Sequence, residues 1–180
     1  MNDVAKDRPT QLFLIRHGAT DANLRRPPIL QGCGIDLPLN ETGLKQAQRL
    51  AEFLSPFPIS HIYCSPLRRA AETAAVISQP LGLSVSTRAE LTECNVGRWE
   101  GLDWGTIRRD FPDAVRAFDE DSGECPYLGG ESYGDVLRRA RPLLDSLLLE
   151  HSGESIVVVA HNVVTRVYAA YLLGLDLKRA

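Results

Sequence analysis

The sequence is poor in the residues that announce several common chemistries. It has four cysteines in 180 residues, Cys33, Cys64, Cys94 and Cys125, and no two form a Cys-x-x-Cys pair. Zinc-ribbon and thioredoxin-type chemistry therefore lack their ligands or their redox couple. No cysteine has an arginine six positions later, which removes the cysteine-phosphatase loop. No Gly-x-x-x-x-Gly-Lys occurs, which removes the P-loop nucleotide hydrolases. Basic residues are not in excess: 20 Lys and Arg face 23 Asp and Glu, a net charge of −3. That excludes a nucleic-acid binder working by bulk electrostatics. Long apolar runs are missing too. Ile156 to Ala160 is far too short to span a bilayer. Met1 to Arg8 has no apolar stretch after its charges, so no secretory leader is read there. These absences predict a cytoplasmic protein with free thiols, no membrane and no nucleic-acid partner.

What is present is globular. The length suits one domain, read as 1–180, and 44% hydrophobic content is ordinary for a packed core. Gln11 to Ile15 and Ser155 to Ala160 are continuous bulky runs, as in strands of a parallel sheet covered on both faces. His61 to Cys64 is a third candidate strand and Leu83 to Thr87 a weaker one. Helical spacing fills the gaps. Gly43 to Leu54 is one helix, capped by Thr42 or Asn40. Another opens with Ser65 as N-cap and Pro66 in the first position, and stops at Pro80 and Gly82. A long helix over about Ser132 to Glu150 is expected to kink at Pro142. A last one follows His161 to about Leu173. Shorter helices are expected over Trp104 to Asp110 and Asp113 to Phe118. The acidic stretch Asp119 to Glu124 reads as a surface loop. Strands alternating with helices define an α/β class, a mainly parallel sheet with helices on both faces.

In open α/β sheets ligands bind beyond the carboxyl ends of the strands. There the first strand supplies Arg16 and His17, the third candidate supplies Ser65 and Arg68, and the last supplies His161 and Asn162. A single histidine at a strand end is most often structural. Two, each closing a strong strand beside arginines, point to a site. Arginine offers planar paired donors to phosphate oxygens. Neutral imidazole is a nucleophile near neutral pH, and a second imidazole can hydrogen-bond the transferring group. Metal is the competing use of two histidines, but no carboxylates flank either one at ligand spacing, so no metal is expected there.

These residues carry a resemblance. Leu14-Ile15-Arg16-His17-Gly18 resembles the Arg-His-Gly signature of the histidine phosphatase (phosphoglycerate mutase-like) superfamily. Five further blocks follow in the family's order: Gln31-Gly32 with Asp36 to Leu39, Ser65 to Ala70 with Thr73, Leu91 to Glu93 with Gly97 to Gly101, Gly130 to Ser132, and Val159 to His161. Together they span about residues 11 to 175. The resemblance implies a phosphoglycerate mutase-like fold and two-step phosphoryl transfer without a cofactor. His17 would attack phosphorus and become a phosphohistidine. Arg16, Arg68 and His161 would hold the equatorial oxygens. Asn23, Gln31, Gly32 and Asn162 would meet the substrate. Glu93 would protonate the leaving oxygen and then activate water. Spacing alone leaves Glu90, Glu93 and Glu100 equal; the resemblance selects Glu93.

Two departures from the family pattern bear on specificity. Ala19 stands where Glu or Gln is frequent, and Asn162 where Gly is usual. Only about thirty residues separate Gly101 from Glu131, little room for the insertion of the mutases. The expectation is therefore an acid-type phosphomonoesterase acting on a small phosphorylated metabolite, with a small cap at about 99–130. A phosphoglycerate mutase and a non-catalytic phosphate-binding module are the alternatives. Gly130 to Gly134 also fits a Gly-x-Ser-x-Gly elbow with Asp145 and His161 behind it, but no buried strand precedes it, and Ser132 is better read as a helix cap. Trp99, Trp104, Phe111, Phe118 and Tyr127 are cap lining or, more simply, core. Arg25, Arg26, Arg108 and Arg109 are mouth-of-pocket candidates or solvated surface. Nothing in the sequence sets an oligomeric state. Relatives carry a further strand after the last helix, where this sequence stops at Ala180, so either that edge strand is missing or the sequence is a trimmed one.

Overall fold

The continuous apolar runs do become strands of one parallel sheet. In the computed structural model, which describes residues 8–180, these are β1 (Gln11–Arg16), β2 (Ile59–Cys64), β3 (Val85–Thr87) and β4 (Ser155–Ala160). The opening residues 1–7, where no leader was read, lie outside the described part. The strand order is β1-β4-β2-β3 and every pairing is parallel. β4, last in the chain, thus inserts between β1 and β2. All six of its residues are buried, which is why it reads as unbroken hydrophobicity.

Its side chains alternate between two cores. Ile156, Val158 and Ala160 face α6 (Tyr133–Glu150) and α7 (Asn162–Leu172). Val157 and Val159 face α2 (Glu41–Leu54) and α3 (Arg68–Leu81). Each Val or Ile buried in this way contributes about 1.5–3 kcal/mol. Between the larger helices lie α1 (Asp21–Leu24), α4 (Trp104–Asp110) and α5 (Pro112–Glu120). Trp99 packs edge to face on Phe118 at 5.7 Å and on Tyr127 at 5.5 Å between ring centres, and Phe118 packs edge to face on Tyr133. These aromatics are core.

The register decides what the strand ends hold. Arg16 pairs with Ala160 and Cys64 with Val159. The residues that follow, His17, His161 and Ser65, therefore leave the sheet side by side. Backbone bonds hold that exit: His17 N–H to Ala160 O at 3.1 Å and Ser65 N–H to Val159 O at 3.0 Å.

Most helix ends follow their local chemistry. Asn40, not Thr42, caps α2, its Oδ1 accepting from Gly43 N–H at 2.9 Å. Gly82 ends α3 in the left-handed region at φ 65°. Ser132 and Asp135 close a capping box on α6, which continues unbroken past Pro142. Two expectations fail. Helix α3 begins at Arg68 with Leu67 as the extended residue before it, not at Pro66, and Ser65 Oγ lies 2.7 Å from His161 Nε2. Asp119 and Glu120 belong to α5 and Ser122 is buried, so the acidic stretch is only partly a surface loop.

A glycine pair fixes the turn after β1. A methyl group on Gly18 would lie 2.6 Å from Gly43 O, and one on Gly43 would collide with Ala19 O. The first turn of α2 therefore rests directly on the backbone beyond His17. Asn40 N–H donates to Ala19 O at 3.0 Å and Ala19 N–H to Gln46 Oε1 at 2.8 Å. Thr73 Oγ1 accepts from Gly18 N–H at 3.0 Å.

Candidate active site

His17 is buried at the end of β1. Its Nδ1 lies 2.7 Å from Gly18 O. A carbonyl only accepts, so Nδ1 carries the proton and Nε2 keeps a free lone pair. Burial lowers the pKa of this imidazole to about 4; the Gly18 bond opposes the shift, and the charges of Arg69 and Arg16 add to it. Near neutral pH it is uncharged.

His161 lies beside it, 5.1 Å between ring centres, and is fully buried. Its Nε2 is 2.7 Å from Ser65 Oγ, which also accepts from Leu67 N–H at 3.3 Å. A hydroxyl that accepts from Leu67 can donate its own proton to Nε2. His161 Nδ1 then bears a hydrogen, and it has no partner among the described residues. Burial, then the charges of Arg69 and His17, hold this imidazole well below its ordinary pKa.

The arginine from α3 is Arg69. Its side chain is 1% exposed, donating from Nη1 to Ile35 O at 2.9 Å and from Nη2 to Gly32 O at 2.8 Å. Its Nε has no partner among the described residues. A buried guanidinium with an unsatisfied N–H is costly unless an anion completes it. Arg68, the arginine expected from the sequence, points away. Its side chain is 59% exposed and sits 3.4 Å from Glu72. The physical reason is helix phase: Arg69 shares a face with Thr73, and Arg68 with Glu72.

Glu93 completes the set. Its Oε1 accepts from Cys94 N–H at 2.9 Å and Val163 N–H at 3.3 Å. Desolvation pushes its carboxyl above the ordinary range, against those hydrogen bonds and the charges of Arg69 and Arg16. Arg139, which the sequence did not single out, holds the loop. It donates to Glu90 O at 2.6 Å, Glu93 O at 3.3 Å and Glu131 Oε1 at 2.8 Å. Glu131 Oε2 in turn accepts from Asn95 N–H at 2.8 Å. The rival carboxylate Glu100 is spent on Gly34 N–H and Ile35 N–H.

Arg16, His17, Asn23, Gln31, Gly32, Arg69, Glu93 and Asn162 line one pocket of about 110 Å³. Arg16, His17 and Asn23 also border a wider groove of about 440 Å³ that runs over Ala19, Gln46 and Leu50. Thr20 ties the near wall together. Its N–H donates to Asn23 Oδ1 at 2.9 Å and its Oγ1 to Gln31 Oε1 at 3.0 Å. Ser132, the elbow candidate, spends its hydroxyl on Asp135, and Asp145 binds Tyr168. The hydrolase triad has no counterpart here.

A parallel α/β sheet with its pocket at the strand ends, lined by Arg16, Arg69 and the uncharged imidazole of His17, with the uncharged His161 buried beside it, defines a protein with an anion-binding site. Residues 12–180 match the histidine phosphatase superfamily (branch 1), and the chain belongs to it. It is 36% identical over 176 residues to the glucosyl-3-phosphoglycerate phosphatase of Mycobacterium tuberculosis, covering 93% of this chain and 77% of that one. It is 35% identical over 173 residues to a bifunctional protein of Mycobacterium tuberculosis, covering 96% of this chain but 46% of the relative. The chain thus spans about half the length of that relative. The solved structure of Bacillus stearothermophilus YhfR superimposes with a TM-score of 0.85 at 32% identity, covering 94% of this chain and 83% of that one.

Proposed function

We propose that the chain is a phosphomonoesterase that hydrolyses small phosphorylated metabolites through a phosphohistidine on His17. The observation that carries this reading is the free Nε2 lone pair of His17, fixed by the Nδ1 bond to Gly18 O, in the pocket that the Arg69 guanidinium lines. The phosphoryl group fits the small pocket and the rest of the substrate the wider groove. His17 Nε2 attacks phosphorus as the ester P–O bond breaks. Arg16, Arg69 and the Nδ1–H of His161 take the equatorial oxygens, where charge grows. Glu93, whose carboxyl desolvation pushes above the ordinary range, gives its proton to the leaving oxygen. As a carboxylate it then takes a proton from water, whose oxygen attacks phosphorus and releases phosphate and neutral His17. Asn23 Oδ1 is held by Thr20, which leaves its amide Nδ2 to donate to substrate.

The same groups favour an acid-type profile, because His17 stays neutral down to about pH 4 while Glu93 must stay protonated. Residues 1–180 are read as one domain, with 99–130 as a small cap that brings Tyr127 to the pocket wall. Among the described residues no helix is long and apolar enough to cross a membrane. The four cysteines are free thiols, which fits a cytoplasmic setting.

Hydrolysis of p-nitrophenyl phosphate tests the reading. His17→Ala is expected to lower kcat by about 10³ or more. Rapid quenching of wild type into alkali should trap one phosphorylated histidine. Equal turnover in the two proteins, or no trapped phosphate, would defeat the proposal.

A further inference from the structure

The amino-terminal end of the sheet holds a second pair of imidazoles that the proposed chemistry does not use. His61 stands in β2, His151 caps the end of α6, and Glu154 immediately precedes β4. The imidazole rings of His61 and His151 lie 3.9 Å apart between centres. Glu154 Oε2 is 3.2 Å from His61 Nδ1 and 3.4 Å from His151 Nδ1. The three candidate ligand atoms all fall within 4.8 Å of one another.

We propose that His61, His151 and Glu154 form a binding site for one first-row divalent cation that favours imidazole, Zn²⁺ being the representative ion. Three observations support it. First, the spacing fits. Bonds of about 2.0–2.1 Å to a tetrahedral ion put neighbouring ligand atoms about 3.3 Å apart. The two distances to Glu154 bracket that value. Second, the backbone is shaped for the cluster. Ile59 pairs with Ser155, but His61 pairs with Ile156, so Ser60 is an extra residue on β2. Such a bulge re-aims side chains. Here it leaves Ser60 Oγ 2.6 Å from Glu154 Oε2, beside His61 Nδ1. Third, the outer contacts are those of a metal site. His151 Nε2 lies 2.8 Å from the buried Tyr63 Oη. A metal-bound imidazole normally engages a partner with its other nitrogen. Donation from His151 Nε2–H to Tyr63 Oη leaves Nδ1 unprotonated for the ion. The half-exposed His61 and Glu154 leave a way in from solvent and a fourth position for water.

The ion would clasp the end of α6 to the starts of β2 and β4. Six residues of β4 separate it from His161, about 20 Å of strand.

Zn²⁺ titration of the full chain by calorimetry, and Co²⁺ titration followed by visible absorption, test the site. One equivalent should bind, and Co²⁺ should give the bands of a four-coordinate nitrogen and oxygen site. His61→Ala and Glu154→Gln should each weaken Zn²⁺ binding by about tenfold or more. Both should keep the wild-type fold by circular dichroism and the wild-type turnover of p-nitrophenyl phosphate. Absence of a stoichiometric ion would overturn the proposal. So would equal affinity in wild type and both folded variants, which would place the ion elsewhere, as on the partly exposed Cys33 and Cys125.

Discussion

The two ends of this sheet each hold a histidine pair, and the pairs are built for different work. At the carboxyl ends, His17 and His161 sit beside Arg16 and Arg69, and burial with positive neighbours keeps both rings uncharged. At the amino ends, His61 and His151 share the Glu154 carboxylate and meet Ser60 and Tyr63. Imidazole is the same group in both. Guanidinium neighbours leave a lone pair facing space meant for an anion. A carboxylate neighbour gathers lone pairs around space meant for a cation. Counting histidines therefore says little about function; the charge of what surrounds them decides it.

That contrast can be broken experimentally, and after loss of the His17 nucleophile the largest effect belongs to Glu93. Glu93→Gln removes the proton donor and should cost about 10²–10⁴ in kcat on an alkyl phosphate. The loss should be smaller on p-nitrophenyl phosphate, whose leaving group departs without a proton. In wild type, kcat/KM should fall as pH drops through about 4, where His17 becomes protonated and loses its lone pair. It should also fall as pH rises through the elevated pKa of Glu93. The Gln variant should keep the acid limb and lose the alkaline one. An alkaline limb surviving in Glu93→Gln would remove Glu93 as the acid.

Next comes the arginine pair. Arg69→Ala should lower kcat by about 10²–10³ by removing an oxyanion donor, while Arg68→Ala should leave it nearly unchanged. The reverse order in a phosphatase assay would mean that Arg68, not Arg69, meets the phosphoryl group. The smallest effect is expected at the far end of the sheet. His61→Ala should leave both turnover and the acid limb where they are. A displaced limb would mean the two histidine pairs communicate.

Much of this was legible in the sequence. The strands showed because fully buried parallel strands must be apolar throughout, as β4 is. Asn40 and Ser132 were readable as caps because a cap is a local bond. Arg16, His17, Glu93 and Asn162, read from strand ends or from the family blocks, line one pocket. Arg68, read from the sequence, is exposed while its neighbour Arg69 is buried at the pocket, because adjacent helical residues differ in phase. The clue was available: Ala70, Ala74 and Ile77 mark the inward face, and Thr73 lies one turn beyond Arg69. Ser65 and Arg139 were not legible as partners. Ser65 meets His161 across 96 positions, and Arg139 reaches Glu90 across 49. Such contacts exist only once the sheet register is set.

The contact between Asn40 N–H and Ala19 O has a consequence for how such a protein changes. It brings the two stems of the segment 20–39 together, so that segment is a closed loop standing on a fixed base. Asn23, Gln31 and Gly32 ride on it, whereas His17, Arg69, Glu93 and His161 do not. Closing a longer or shorter loop on that base costs little extra entropy. The loop is thus an exchangeable part: replacing it re-tailors what greets the substrate and spares the reacting groups. Obligations travel with any replacement: it must still present two carbonyls, as Gly32 and Ile35 do, to the buried guanidinium beneath, and two N–H groups, as Gly34 and Ile35 do, to the Glu100 carboxylate.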